Sequence, residues 1–154
     1  NGHVDVLEQT INYDTRRILY QHPTSRVTYS VSLPERAVLQ FGLGMAPEVW
    51  TAENSDGAVY NIYVRDPEEP FVTQRVYHRI IDPQNNLDDR RWFDERVDLS
   101  AFGGKEVEII FEALPGPADN YDFDWGGWSS PVIIDETGPG SRAAYATESA
   151  TITP

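Results

Sequence analysis

The sequence contains no cysteine. This absence excludes disulfide bonds, zinc–thiolate sites, iron–sulfur clusters and cysteine nucleophiles, although it does not fix the cellular compartment. No run of 18 apolar residues occurs, so no segment of this sequence is expected to insert into a membrane. Asn-X-Ser/Thr sequons are also absent, which excludes N-glycosylation of that type.

Basic residues are scarce. Twelve Lys and Arg face 25 Asp and Glu, which gives a formal net charge of −13. Proteins bind nucleic acids largely by neutralising phosphates with Lys and Arg, so a nucleic-acid partner is not expected. The same charge opposes docking to anionic lipid.

Signals for catalysis are missing as well. The three histidines, His3, His22 and His78, are scattered along the chain, and neither HExxH nor GxSxG is present. Pairs of carboxylates are frequent, but 25 acidic residues produce such pairs by chance. The sequence therefore does not predict an enzyme.

What the chain does contain is alternation of polar and apolar residues with a period of two. In residues 26–33 (RVTYSVSL), Val27, Tyr29 and Val31 share one face, and in residues 106–113 (EVEIIFEA) Val107, Ile109 and Phe111 do so. Similar segments at residues 37–43, 58–65, 71–81, 92–99 and 131–134 are separated by turn signals. Helix signals are nearly absent. We predict an all-β fold, an antiparallel β-sandwich of the jelly-roll type.

A change in composition divides the chain. Residues 1–135 are predicted to form a single jelly-roll domain, whereas residues 136–154 are small, polar and rich in Pro and Gly, which is typical of a linker. Because the sequence begins at Asn1 rather than Met, we expect a processed protein or an excised domain of a longer one.

Four segments resemble one known group of domains. They are residues 40–45 (QFGLGM), 56–64 (DGAVYNIYV), 92–105, which contain VDLSAFGGK, and 124–131 (DWGGWSSP). Together they are similar to motifs of the NPCBM modules and of the wider galactose-binding-like jelly rolls, over roughly residues 24–134. The resemblance implies a carbohydrate-binding-like fold in which the VDLSAFGGK turn is structural. Gly103-Gly104 suits a turn that requires positive φ, and Asp98 suits an Asx-turn.

The loop before the last predicted strand is the best candidate site. Tyr121, Asp122, Asp124 and Trp125 combine aromatic surface with hydrogen-bonding groups, as saccharide recognition requires. The alternative is that the tryptophans of this region belong to the core, since Trp is usually largely buried. Trp128, directly before the predicted strand, fits that alternative better than Trp125.

The same loop is a candidate cation site. Asp119, Asp122 and Asp124 offer the carboxylate oxygens that Ca²⁺ prefers, so a structural Ca²⁺ is the one cofactor that the sequence suggests. A solvated acidic loop is the alternative. Residues 82–90 (DPQNNLDDR) form a second oxygen-rich loop, and there an Asx-rich turn is the favoured interpretation.

These observations and the resemblance predict a non-catalytic carbohydrate-binding-like module of a larger exported or cell-surface protein. Its expected partner is a glycan, or else a neighbouring domain or copy of the chain. The second hypothesis is a structural domain of a surface or filament protein that packs through edge strands and its tail. An exposed aromatic platform flanked by polar side chains would favour the first hypothesis, and edges engaged by another strand the second.

Overall fold

The fold of the chain is all-β. The computed structural model describes residues 2–118, 124–136, 142–144 and 150–153. The described residues contain three single-turn 3₁₀ helices, Pro47–Val49, Leu87–Asp89 and Ser100–Phe102, none of them long enough to cross a membrane. The strands are β1 Val4–Ile11, β2 Asp14–Gln21, β3 Ser25–Ser32, β4 Ala37–Met45, β5 Ala58–Arg65, β6 Thr73–Ile81, β7 Phe93–Asp98, β8 Glu106–Pro115, β9 Gly126–Asp135, β10 Arg142–Ala144 and β11 Ala150–Thr153.

Two antiparallel sheets pack face to face. Sheet A has the order β1-β2-β9-β4-β7, and β10 also pairs with β9. Sheet B has the order β11-β3-β8-β5-β6. Both chain segments that form β10 and β11 lie in the stretch after residue 135. The predicted antiparallel β-sandwich is thus confirmed.

The core lies between the sheets and follows the alternation in the sequence. Val27 and Val31 of β3 are buried against Val107, Ile109 and Phe111 of β8. Tyr29 is half-buried and packs against the same core. The inward faces of the two segments with strict alternation are therefore confirmed.

The VDLSAFGGK turn has the predicted structural role. The carboxylate of Asp98 accepts a hydrogen bond from the Ser100 backbone N–H at 2.8 Å, as an Asx-turn requires. Gly104 has φ of +76°, in the left-handed region that favours glycine. Gly103 has an ordinary φ, but a Cβ there would lie 2.1 Å from the Glu35 carbonyl oxygen. The two glycines thus serve different needs, one conformational and one steric.

Some strand limits differ from the prediction. β6 begins at Thr73 rather than at residue 71, because Phe71 and Val72 lie on the exposed β5–β6 loop. β9 begins at Gly126, five residues before the predicted start. Gly126-Gly127 reads as a loop in the sequence, yet a Cβ at Gly127 would lie 2.4 Å from the Leu19 carbonyl oxygen, so the close approach of β2 requires glycine.

Candidate functional site

The structure describes two of the predicted site residues. Asp124 and Trp125 are described, whereas Asp119, Tyr121 and Asp122 lie outside the described residues. Both described residues directly precede β9. The Trp125 carbonyl oxygen accepts a hydrogen bond from the Ala46 N–H at 2.7 Å, which ties this segment to the end of β4.

Trp125 and Trp128 have opposite surroundings. Trp128 is 0% exposed, and its indole N–H donates to Oε1 of Gln21 at 2.7 Å. Its ring makes edge-to-face contacts with Phe41 and Phe111 at centroid distances of 5.4 and 5.1 Å. Trp125 is 42% exposed. The structure therefore confirms that Trp128 is a core residue, as its position suggested.

Trp125 lies beside a groove of about 510 Å³ at the edge of sheet A. We call it the Trp125 groove. The other residues that line it come from β1, from β2 and from the segment that follows β4. They are Leu7, Glu8, Gln9, Thr10, Tyr20, Ala46 and Glu48. Carboxylate, hydroxyl and amide groups thus surround an exposed indole, with Tyr20 as a second, half-buried ring.

The wall of the groove is formed by the β1–β2 hairpin, which curls back over the outer face of β4 in the same sheet. Gln9 Nε2 donates to the Gly44 carbonyl oxygen at 3.2 Å, although β2 and β9 separate β1 from β4 in the sheet order. Ile11 and Ile18 pack with Trp92 in a small buried cluster on this outer face, which we call the hairpin cluster. This cluster holds β1 close to β4, so the groove has a fixed wall.

Asp124 lies behind the groove, close enough to affect Tyr20. It is fully buried. Burial raises the pKa of the half-buried Tyr20, and the charge of Asp124 raises it further. The same two causes, burial first, raise the pKa of Tyr60, which is fully buried. Both phenols therefore stay protonated at neutral pH.

A three-carboxylate cation site is not formed by the part of the chain that the structure describes. Within residues 2–118 and 124–136, no three His, Asp or Glu side chains lie close enough together to hold a metal ion. Of the predicted calcium ligands, the described residues include Asp124 alone. In the loop of residues 82–90, the Asp82 carboxylate accepts from the Asn85 amide, and the Asp89 carboxylate accepts from the Asp82 N–H at 2.8 Å. These carboxylate oxygens thus accept hydrogen bonds from donors within the loop itself.

A second polar cluster crosses the outer face of sheet B. Arg26, Glu112, Asn61 and His78 lie opposite one another on four adjacent strands, and we call them the Glu112 row. The Glu112 side chain is buried, and its carboxylate accepts from Arg26, from Asn61 Nδ2 and from the Tyr63 hydroxyl. Because Asn61 Nδ2 donates to Glu112, Asn61 Oδ1 accepts from His78 Nδ1 at 2.7 Å. The side chains of the row form hydrogen bonds with one another, as in a structural network.

A polar groove of about 470 Å³ also lies on the outer face of sheet A. Gly42 forms part of its floor, where a Cβ would lie 2.6 Å from Arg16 Nη1. Arg16 bridges Asp94 at 2.6 Å and Asp14 at 2.8 Å, and its guanidinium lies 4.8 Å from the Trp92 ring. Its pKa is raised, chiefly by the hydrogen bond to Asp94. The groove is thus closed at one side by an internal ion pair.

Most of the Trp125 groove has no signal in the sequence. Glu8, Gln9, Thr10, Tyr20 and Glu48 belong to no motif, and they lie 77 to 117 positions away from Trp125 along the chain. The only local signal for the hairpin that supplies four of them is Asn12 at its turn, where φ is +52°.

Comparisons with known proteins give one clear relative in sequence. An uncharacterized protein of Archaeoglobus fulgidus is 38% identical over 126 residues, which are 78% of this chain and 31% of the relative. The chain therefore spans about a third of the length of that relative. No protein-family model matches the chain.

Among solved structures, similarity is found to carbohydrate-binding modules. One is the second family-51 module of Clostridium perfringens ZmpB, in complex with GlcNAc, with a TM-score of 0.48, 13% identity and coverage of 85% of this chain and 27% of that chain. Another is the family-6 module of Cellvibrio mixtus lichenase 5A, in complex with cellotriose, with a TM-score of 0.42, 9% identity and 86% coverage of both chains. At these identities the similarity concerns the fold, and the narrower resemblance to NPCBM modules stays a prediction.

Proposed function

We propose that the chain is a non-catalytic saccharide-binding module of a longer exported or cell-surface protein, and that the Trp125 groove is its binding site. One observation supports this most strongly. Trp125 is 42% exposed beside a groove whose lining supplies hydrogen-bonding side chains. This is the exposed aromatic platform that distinguishes saccharide recognition from an assembly role.

The chemistry of the groove suits a sugar ring. A pyranose has an apolar face that stacks on an indole, while its hydroxyls need donors and acceptors at the rim. Thr10 and the carboxylates of Glu8 and Glu48 provide such groups around Trp125. The wall is rigid, since Gln9 is bonded to the β4 backbone and the Trp125 carbonyl oxygen to Ala46. Rigid walls lower the entropic cost of binding.

The experiment is a glycan-array screen of the whole chain with and without calcium, followed by calorimetry on the best oligosaccharide. We expect Trp125→Ala to weaken binding about 5- to 30-fold, since loss of one stacked ring removes on the order of 1–2 kcal/mol. Phe71→Ala is the matched control, because Phe71 is 100% exposed but lies outside the groove. Binding that survives Trp125→Ala, or no binding across the panel, would reject the proposal.

A second candidate function, assembly through edge strands, has one observation in its favour. β11 pairs antiparallel with β3, with Ala150 opposite Tyr29 and Thr153 opposite Arg26, so the edge of sheet B accepts a strand from the tail. The same pairing between two copies would join them. Light scattering on the full chain and on a chain without residues 150–153 tests it. An oligomer that depends on those residues favours assembly, and a monomer in both cases excludes it.

A further inference from the structure

Resting on the proposed function, we infer that the Trp125 groove selects saccharides by charge. Sugars that carry a free ammonium group are expected to bind best, neutral sugars less well, and uronic or sulfated sugars least. The inference names a ligand class for the groove, and its basis is the kind of charge found around the exposed indole.

The charged side chains that line the groove are both acidic. They are Glu8 of β1 and Glu48 of the 3₁₀ turn after β4, and both are exposed. No Lys, Arg or His belongs to the lining, as far as the described residues go. A ligand carboxylate or sulfate would therefore meet two like charges with no cation of the groove to balance them. An ammonium group would meet two carboxylates instead.

The two glutamates are not equivalent. Arg17 of β2 lies directly opposite Glu8 in the β1–β2 register, so its positive charge offsets part of the field of Glu8. Glu48 lies on a 3₁₀ turn and has no cross-strand neighbour of this kind. Glu48 is therefore expected to contribute more than Glu8 to the preference for cationic sugars.

The exposed indole acts in the same direction. A cation over the face of an exposed tryptophan is attracted by the ring quadrupole, and Trp125 presents such a ring. The indole would thus favour an ammonium group over a neutral hydroxyl.

The test uses three β-1,4-linked hexamers with the same gluco backbone: the glucosamine hexamer, cellohexaose and the glucuronate hexamer. Calorimetry with the whole chain is run at mildly acidic pH, where amino groups are protonated. We expect each step in the order ammonium, neutral, carboxylate to weaken binding about 3- to 10-fold, the effect of one or two surface charges. High salt should reduce the differences in affinity among the three hexamers, because exposed charges are screened.

Variants separate this inference from the proposed function. Glu48→Gln should shrink the preference for the glucosamine hexamer over cellohexaose, and Glu8→Gln should shrink it less. Equal affinities for the three hexamers, or the reverse order, together with loss of binding in Trp125→Ala, would overturn the charge inference and leave the saccharide site in place. An order that Glu48→Gln leaves unchanged would overturn it as well. Binding of none of the three hexamers would overturn the charge inference, and no binding across the whole glycan panel would overturn both.

Discussion

The region around Trp128 and the region around Trp125 use the same side chain in opposite ways, although only Gly126 and Gly127 separate the two residues. Trp128 points between the sheets and finds all its partners in the protein, including Gln21 for its indole N–H. Trp125 lies at the sheet edge and shares its surface between the groove and solvent. What decides the role of each residue is the side of the sheet on which it lies, since the residue type is the same.

The carboxylates show the same contrast on sheet B. Glu112 and Glu108 are four residues apart on the outward face of β8. The Glu112 side chain is 2% exposed and has three partners, whereas Glu108 pairs with Arg65 in a more open setting. Buried, fully bonded groups stabilise the fold, and open groups remain available for solvent or ligand. The experiments below test this division.

The largest effect is expected from Trp128→Ala. Truncating a fully buried aromatic residue costs about 3–5 kcal/mol of unfolding free energy. Trp125→Ala removes the other ring of the pair and should change the unfolding free energy by no more than about 0.5 kcal/mol, as surface substitutions do. Chemical denaturation of both variants is the measurement. Similar losses for the two variants would contradict the assignment of opposite roles.

A smaller effect is expected at the Glu112 row. Glu112→Ala leaves Asn61 and Tyr63 without their acceptor in a buried position, which should cost about 2–3 kcal/mol. Glu108→Ala, the matched control on the same strand face, removes a partly exposed ion pair and should cost less than about 1 kcal/mol. Urea denaturation compares them. Equal costs would mean that the row is no more than a surface salt bridge.

The smallest effect concerns acid stability at the polar groove of sheet A. The hydrogen bond from Arg16 lowers the pKa of Asp94 below its ordinary value. The pKa in the folded protein is therefore below the unfolded value of about 3.9, so this stabilisation is complete above that pH and is lost as the pH falls through the folded pKa. Because the Asp94 side chain is 73% exposed, solvent screening limits the contribution to about 0.2–1 kcal/mol.

Asp94→Asn should therefore lower the unfolding free energy slightly at neutral pH, and the difference from the original chain should shrink as the pH falls below about 4 and vanish once the pH lies below the folded pKa. Glu68→Gln is the control, because it removes the same charge from an exposed loop position whose carboxylate has no ion pair within the described residues. A difference for Asp94→Asn that does not shrink as the pH falls below about 4 would contradict the assignment.

The sandwich could be predicted from the sequence wherever one face of a strand is buried and the other is not. That condition holds at the start of β8, where Val107 and Ile109 are buried while Glu106 is exposed and Glu108 half-buried. It fails for β2, where the adjacent Ile18 and Leu19 are both covered, one by the hairpin cluster and one by the main core. A strand with two covered faces loses its alternation, so the period of two disappears.

The turn between β1 and β2 also lacks the usual sequence signal of a hairpin. Asn12 and Tyr13 both have positive φ, and the second position of such a turn usually carries glycine. The candidate site was predictable only in its local part. Trp125 stands out because aromatic and acidic residues cluster around it in the sequence. Glu48 and Tyr20, in contrast, come to lie at the groove because β2 and β4 both pair with β9 in sheet A. No local sequence pattern predicts that these distant residues lie next to one another.

Gly44 has a consequence for how this domain varies in evolution. A Cβ at this position would lie 2.7 Å from Ile11 Cδ1 and 3.0 Å from Trp92 Cε3, so the space that glycine leaves on β4 is filled by the hairpin cluster. Positions 11, 44 and 92 are therefore expected to covary among homologues. A homologue with alanine at position 44 should carry a smaller residue at position 11. A homologue that lacks the β1–β2 hairpin should tolerate larger residues at position 44, and it should also lack the wall of the groove.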